Sequence, residues 1–293
     1  MTAPSGLIIV DKPAGWTSHD VVARVRRLAG TRRVGHAGTL DPMATGVLVL
    51  GVEKATRLLG YLALSDKEYQ ATIRLGQVTD TLDAEGTITA TTPAAHLQVA
   101  AVRAAAAALT GEIQQVPPAV SAIKVAGRRS YQLARAGKPP ELAPRPVTVH
   151  SFEILAARCE GELLDVDVVV RCSSGTYIRA LARDLGDSLG VGGHLTALRR
   201  TRTGPYGLAR AHGLDALAAL PVLPVLPMEA AAAAAFPVRK LTDGEARTLS
   251  HGGRVPGTGE SDDGPVAAFA PDGRLIALAK GEGGQLKPIA VFA

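Results

Sequence analysis

Strand-like patterns dominate this sequence, and few of them have the spacing of a βαβ unit. Apolar runs of strand length lie at residues 6–12, 47–52, 68–75 and 147–156. At 163–172 three valines alternate with polar residues, as in a strand with one apolar face and two aspartates on the other. The mixture favours an α+β fold over a doubly wound sheet, with a mixed or antiparallel central sheet and flanking helices.

Helical patterns lie between these strands, and the C-terminal fifth differs from the rest. Ser18 is a candidate N-cap for a helix that ends at Gly30, and further helices are predicted at 94–109 and 176–189. From about residue 238, short strands alternate with glycine turns. We therefore predict a larger domain at residues 1–237 and a small β-rich domain at 238–293.

Positive charge is concentrated in three blocks of the chain. The formal net charge is +5, from 32 Lys and Arg against 27 Asp and Glu. Residues 1–60 carry eight basic and four acidic groups, residues 120–148 six and one, and residues 171–210 seven and two. Residues 239–293 carry seven of each, which argues against strong phosphate binding there. The blocks indicate either solvated surface or a groove for a polyanion.

Several protein classes are excluded by composition. Two cysteines cannot form a disulfide framework, and no Cys/His pair has zinc-site spacing, so no metal is expected. The apolar stretch at 220–236 is broken by three prolines, and no run reaches the length of a membrane span. The first residues are uncharged, unlike a signal peptide. We expect a cytoplasmic protein without a membrane partner.

The segment richest in chemistry lies at residues 32–46 and reads RRVGHAGTLDPMATG. Its three glycines and its Asp-Pro step predict a tight loop between a helix and a strand, presenting His36 and Asp41 near two arginines. On these residues alone, the Asp41-Pro42 step is also compatible with an ordinary turn.

This segment resembles the catalytic signature of the TruB family of tRNA pseudouridine synthases. Four further segments resemble motifs of that family in the same order: DKPAGWTS at 11–18, KEY at 67–69, VPPAVSAIK at 116–124 with YQLAR at 131–135, and SSGTYIR at 173–179. The C-terminal unit resembles a PUA RNA-binding domain in position, size and β-rich pattern. The resemblance implies conversion of uridine to pseudouridine at position 55 in the T-loop of tRNA. That reaction is redox neutral, so no cofactor is expected.

The resemblance assigns catalytic roles to Asp41, Tyr69 and Arg179. Asp41 would act as a covalent nucleophile or as a base toward the ribose, and the sequence leaves both open. Arg179 would keep Asp41 ionised and oriented; the alternative is a surface arginine, either free or paired with Asp184. Tyr69 would stack on the uracil or relay the C5 proton; the alternative is a half-buried strand tyrosine.

Other residues are assigned by resemblance to RNA binding. His36 would fill the space left by the extruded uridine; the alternative is a loop histidine bonded to backbone. Lys12 and Pro13 resemble residues that support the catalytic loop, and Leu198 a position near the base. The RNA-gripping insertion spans about 116–146, with a solvated basic loop as the alternative. The full RNA-binding set is His36, Lys12, Lys124, Arg128, Arg129, Tyr131, Arg135, Leu198 and Arg199.

The residues after Asp41-Pro42 distinguish subfamilies. RNA-guided relatives tend to have Lys-Val-Thr-Gly there, whereas Met43-Ala44-Thr45-Gly46 resembles the stand-alone bacterial form. We therefore expect a monomer that acts on the tRNA T-stem-loop without a guide RNA. A non-catalytic tRNA-binding or refolding protein is the main alternative. A two-carboxylate glycosidase is disfavoured, since only one acidic residue lies in a signature loop.

Overall fold

The computed structural model describes residues 4–120, 142–259 and 264–292, and the backbone of residues 124–125 and 128–129. The chain divides into two compact units. One comprises Met1–Asp41, Gly46–Ala63 and Thr203–Ala293, and the other comprises Pro42–Thr45 and Leu64–Arg202. Within the described ranges, no helix has the length and apolarity to cross a membrane.

A buried strand at Gly6–Lys12 is the centre of the first sheet of the first unit. It pairs antiparallel with Thr45–Val52 and Leu226–Pro227 and parallel with His212–Gly213. The strand Val34–His36 adds to Thr45–Val52, also antiparallel. All but one of the residues of the central strand are buried, which explains the continuous apolar run Gly6–Val10 at its start.

The helix Ser18–Ala29 covers this sheet with its apolar face. Thr17, not Ser18, is its N-cap: the Thr17 side chain accepts a hydrogen bond from the Asp20 amide, and the Asp20 carboxylate accepts one from the Thr17 amide. The predicted cap was therefore wrong by one residue. Gly30 ends the helix at φ 63, as predicted, because the left-handed conformation costs glycine little.

The last residues of the chain form a sheet of five short strands. In spatial order the strands are Val238–Lys240, Val266–Phe269, Leu275–Glu282, Gln285–Val291 and Val255–Pro256. A helix at Asp243–Ser250, capped by Thr242 and Glu245, packs on one side. This is the β-rich pattern that the glycine turns predicted.

The other side of this C-terminal sheet shares a hydrophobic core with the N-terminal strands. Phe269, Leu278 and Phe292 belong to one buried cluster with Leu7 and Leu58. Three side chains donate hydrogen bonds to backbone carbonyls at the end of the chain. Lys54 Nζ donates to Phe292 O at 3.2 Å, Arg57 Nη1 to Val291 O at 2.7 Å, and Tyr61 Oη to Ile289 O at 3.0 Å. The sheet is therefore anchored within the first unit, and the division at residue 238 stays a prediction.

The second unit is built on five strands. Their order is Gly193–Thr203, Lys67–Leu75, Leu163–Cys172, Arg145–Glu160 and Gly111–Gln115. The last three pairings are antiparallel. Helices at Val99–Ala108 and Ile178–Ser188 belong to this unit. The first unit holds parallel pairings, of Gly6–Lys12 with His212–Gly213 and of Val238–Lys240 with Val266–Phe269, and both units hold antiparallel ones. The predicted α+β class with a mixed sheet is therefore confirmed.

Strand Leu163–Cys172 has the two faces that its sequence predicted. Its three alternating valines are buried. On the opposite face, Asp165 accepts a bidentate pair of hydrogen bonds from Arg74 at 2.7 Å each, and Asp167 is bonded to Thr72 and Arg158. Cross-strand charge pairs thus satisfy the polar face.

The remaining elements are short. Strands lie at Gln77–Thr79, Ile88–Thr91, Lys124–Val125, Arg128–Arg129 and Tyr206–Gly207, and helical turns at Glu53–Leu58, Leu59–Leu62, Leu208–Arg210, Leu214–Ala219 and Met228–Ala235.

The two cysteines differ in accessibility, and we expect them to differ in reactivity. Cys172 is fully buried, and burial raises the pKa of its thiol to about 11, whereas Cys159 is exposed. Since the thiolate is the nucleophile, one equivalent of thiol should react with Ellman's reagent at pH 8 in the native protein and two after unfolding. The variant Cys159→Ser should lose the native reaction. Two fast equivalents in the native wild type would contradict this assignment.

Candidate active site

The loop that carries Asp41 is held at the residue before it. Leu40 is buried, its amide donates to Ser18 Oγ at 2.9 Å, and Ser18 Oγ donates to the Leu40 carbonyl at 3.2 Å. Ser18 is itself 1% exposed, at the start of the first helix. Asp41 is half-buried. The backbone just before Asp41 is thus fixed to a helix.

Lys12 supports the chain segment next to this loop. Its side chain is fully buried, and Nζ donates to the carbonyls of Pro13 at 2.9 Å and Trp16 at 2.6 Å. A buried ammonium bonded to two backbone carbonyls fixes the turn that leads into the first helix. This geometry favours the supporting role that the sequence suggested, and the RNA-binding role of Lys12 stays a prediction.

His36 lies at the end of a strand in the same unit, half-buried. The ring of His19 packs against it edge to face, with centroids 5.6 Å apart and planes at 81°. His19 lies on the first helix and was not identified from the sequence. The contact orients the His36 ring from one side.

Tyr69 lies on the strand Lys67–Leu75 of the second unit. It is 8% exposed and pairs in register with Val170. Lys67 shares its face of the strand and is also buried. Burial, with a smaller contribution from Arg200, lowers the pKa of Lys67 to about 8. Tyr69 therefore lies in a largely dehydrated environment.

Arg179 is the second residue of the helix Ile178–Ser188 and is 4% exposed. It donates to the carbonyls of Thr81 at 2.8 Å and Val120 at 2.9 Å. Its Nη1 lies 3.2 Å from Oδ2 of Asp83, which is 3% exposed. Arg179 is therefore a buried residue, and the surface alternative is wrong: Asp184 pairs with Arg183 instead.

Asp83 was not identified from the sequence. Besides Arg179, its carboxylate accepts hydrogen bonds from Thr81 Oγ1 at 2.6 Å and from the Glu85 amide at 3.1 Å. The preceding residue, Leu82, has φ 62, a left-handed conformation that leucine rarely adopts. A strained residue beside a buried ion pair is typical of functional sites. The acidic run DTLDAE at 80–85 was the available signal.

The start of the Arg179 helix is fixed by an amide side chain. Gln115 Nε2 donates to the Tyr177 carbonyl at 3.2 Å, and its Oε1 accepts from the Tyr177 amide at 2.8 Å. Gln115 is 1% exposed. This pair of hydrogen bonds between side chain and backbone positions the first turn of the helix, and with it the Arg179 guanidinium.

The other predicted RNA-binding residues lie on strands of the second unit or outside the described residues. Leu198 and Arg199 lie on the strand Gly193–Thr203, and Arg199 Nη1 donates to Thr45 Oγ1 at 3.3 Å. The backbone of Lys124 pairs antiparallel with that of Arg129, and Arg128 belongs to the same strand pair. Tyr131 and Arg135 lie outside the described residues.

By unit, the predicted residues fall into two sets. Lys12, His36 and Asp41 belong to the first unit, and Tyr69, Arg179, Leu198 and Arg199 to the second. Among the described residues, no three His, Cys, Asp or Glu side chains are grouped as a metal site.

Comparison with known proteins identifies the family of the chain. The model of the TruB family pseudouridylate synthase N-terminal domain matches residues 26–178, more than half of the chain. The chain belongs to the TruB family. Two further TruB family models, both of C-terminal domains, match residues 179–224 and 236–293.

Relatives in this family cover nearly the whole chain. A protein named tRNA pseudouridine synthase B from Thermobifida fusca is 64% identical over 292 residues, 98% of each chain. A protein of the same name from Mycobacterium tuberculosis is 56% identical, over 98% of this chain and 95% of its own. Among solved structures, a Cbf5-Nop10-Gar1 complex superposes with a TM-score of 0.77 at 29% identity, covering 100% of this chain and 86% of that one.

Proposed function

We propose that this TruB family protein converts uridine to pseudouridine at position 55 in the T-loop of tRNA, with Asp41 as the catalytic carboxylate. The observation that carries the role of Asp41 is its loop: a half-buried carboxylate directly follows a residue clamped to the Ser18 side chain. The near-complete coverage by relatives named tRNA pseudouridine synthase B supports tRNA as the substrate.

The reaction needs a positioned carboxylate and a route for one proton. The C–N glycosidic bond breaks, the uracil turns, a bond forms between C5 and the ribose C1′, and the C5 proton leaves while N1 regains one. No electrons are gained or lost. Asp41 either attacks C1′ or removes a ribose proton, and both routes require it ionised. A fixed loop supplies the orientation that either route needs.

The target uridine must leave its stack before the reaction. Extrusion costs a few kcal/mol of stacking. A side chain that occupies the vacated space offsets this cost, and we assign that role to His36. The edge-to-face contact with His19 supports this role. The contact already restricts the orientation of the His36 ring, so less conformational entropy is lost when RNA binds.

A guide RNA is not part of this proposal. The sequence Met43-Ala44-Thr45-Gly46 after Asp41-Pro42 resembles the stand-alone form, and the 56–64% identical relatives are bacterial proteins named for tRNA. We propose that residues 238–293, a domain of balanced charge, stabilise the N-terminal strands through the shared core.

The test is tritium release from an unmodified tRNA transcript that carries 5-tritiated uridine. One equivalent of tritium should be released from the native transcript and none from a transcript with cytidine at position 55. The protein should be supplied alone, without guide RNA. Binding without release would support the non-catalytic alternative, and release from both transcripts would contradict the assigned position.

Replacement of Tyr69 by phenylalanine is expected to separate stacking from proton transfer. The ring stays, so tRNA affinity should be unchanged, whereas loss of the hydroxyl should slow single-turnover pseudouridine formation by about 10²-fold or more if it relays the C5 proton. The buried position of Tyr69 excludes a water as an easy substitute. An unchanged single-turnover rate would restrict Tyr69 to stacking.

A further inference from the structure

A surface pocket of about 320 Å³ lies beside the start of the first helix, and no step of the reaction uses it. Its lining residues are Gly15, Trp16, Asp20, Arg24 and Arg27. Residues 20, 24 and 27 have the i, i+4, i+7 spacing of one helix stripe, and Trp16 precedes them by one further turn. All five belong to the first unit.

The pocket carries an aromatic ring and two cations that no carboxylate of the described residues neutralises. Trp16, the single tryptophan of the chain, is 38% exposed. Across the described part of the chain, neither the Arg24 nor the Arg27 guanidinium makes an ion pair or hydrogen bond. Asp20 also lines the pocket but forms no ion pair with either arginine, and guanidinium groups without a paired carboxylate in a concave site are suited to an anionic ligand.

The pocket is held in shape by groups that are already bonded. The buried Lys12 Nζ donates to the Trp16 carbonyl at 2.6 Å, which fixes the backbone that carries the ring. The capping box uses the Asp20 carboxylate, whose pKa lies below its usual value because of the Thr17 hydrogen bonds. The Trp16 backbone and the Asp20 carboxylate are therefore held in place before any ligand binds.

We propose that this Trp16 pocket binds one unpaired nucleotide of the tRNA, in addition to the uridine that reacts. The base stacks on the Trp16 indole, and Arg24 and Arg27 bind the adjoining phosphate. The Asp20 carboxylate lies about 10 Å along the helix from Arg27, so it faces the sugar end, where a ribose 2′-hydroxyl can donate to it. The inference rests on tRNA being the substrate.

Size and charge favour a nucleotide over other occupants. A volume near 320 Å³ lies at the small end of ligand sites, about 300–1,000 Å³, and suits one nucleotide rather than a helix or a peptide segment. Stacking on one ring, with nearby arginines on the backbone, is a common way to bind unpaired nucleotides. Residues 1–60 also carry a basic excess, eight against four.

The single tryptophan makes the site directly observable. Titration of the full-length protein with unmodified tRNA, excited at 295 nm, should quench the Trp16 emission saturably at the Kd measured by filter binding. Uridine monophosphate at the same nucleotide concentration should quench much less, since it lacks the rest of the interface. An unchanged emission at saturating tRNA would overturn the proposal.

Substitutions test the ring and the cations separately. Trp16→Ala should weaken tRNA binding about fivefold or more, and Trp16→Phe should restore most of it. Arg24→Gln with Arg27→Gln should weaken binding and reduce the slope of log Kd against log salt by about 0.7 for each phosphate that the variant no longer neutralises. Arg103→Gln, an exposed arginine on the helix Val99–Ala108, is the charge control.

The outcomes separate this inference from the proposed function. Each variant is first compared with wild type by circular dichroism and melting temperature. If wild type releases tritium from tRNA but Trp16→Ala and the double arginine variant bind like Arg103→Gln, the pocket inference fails and the enzyme assignment stands. If wild type binds tRNA and releases no tritium, the enzyme assignment fails, and the fluorescence result still decides whether the pocket holds RNA.

Discussion

Replacement of Asp41 by asparagine is expected to lower the single-turnover rate of pseudouridine formation by about 10⁴-fold or more. An amide of the same size is neither a nucleophile toward C1′ nor a base, and removal of such a group from other enzymes has effects of this order. The affinity for tRNA should stay unchanged, because the Ser18–Leu40 hydrogen bonds that hold the loop do not involve the Asp41 side chain.

The measurement pairs single-turnover tritium release with filter binding on the same preparations. Asp215→Asn is a suitable control, since Asp215 is an exposed carboxylate in the first turn of the short helix Leu214–Ala219. It should react at the wild-type rate. Turnover by the Asp41→Asn protein close to that of the control would remove Asp41 from the chemistry.

Replacement of Arg179 by methionine is expected to cost both stability and activity. The Arg179 guanidinium forms an ion pair with the buried Asp83 carboxylate and donates hydrogen bonds to two backbone carbonyls. Loss of one partner leaves an uncompensated buried charge, which costs about 3–5 kcal/mol of unfolding free energy. Pseudouridine formation should also fall, because the segment around Thr81 loses the group that fixes it.

Asp83→Asn tests whether the stability loss comes from the unpaired charge. Added to Arg179→Met, it removes the buried negative charge, so the double variant should regain part of the unfolding free energy measured in denaturant. Pseudouridine formation should not recover, since the guanidinium is still missing. Activity restored together with stability would mean that Arg179 acts only on the fold.

The helix boundaries show what local sequence could predict. Gly30 was identified as the end of the first helix because a left-handed residue is a local requirement. The cap was placed one residue late because Thr17 and Ser18 are both good caps, and Ser18 is used by Leu40, which lies 22 residues away. The helix predicted at 94–109 is Val99–Ala108, since the amides of Ala94 and Ala95 bond to Glu162 instead.

In the candidate site, too, some residues could be identified from local sequence and others only from the structure. The Asp41 loop was identified from a contiguous run in which glycines, a histidine and an Asp-Pro step coincide. Asp83 was not identified, because its ion-pair partner Arg179 lies 96 residues later in the chain. No neighbouring residue indicates which cation pairs with Asp83. The Trp16 pocket was likewise hidden: the ring and the arginines are visible in the sequence, but their convergence on one concave site is not.

By itself the sequence determined the fold class, the β-rich C-terminal segment and the loop that carries Asp41. These follow from alternation, helical spacing and turn residues, which act over a few positions. Only the tertiary structure decided that Arg179 is buried against Asp83, that Ser18 holds Leu40 and that the C-terminal sheet shares a core with the N-terminal strands. Burial and charge pairing depend on distant segments meeting, and no local pattern specifies that.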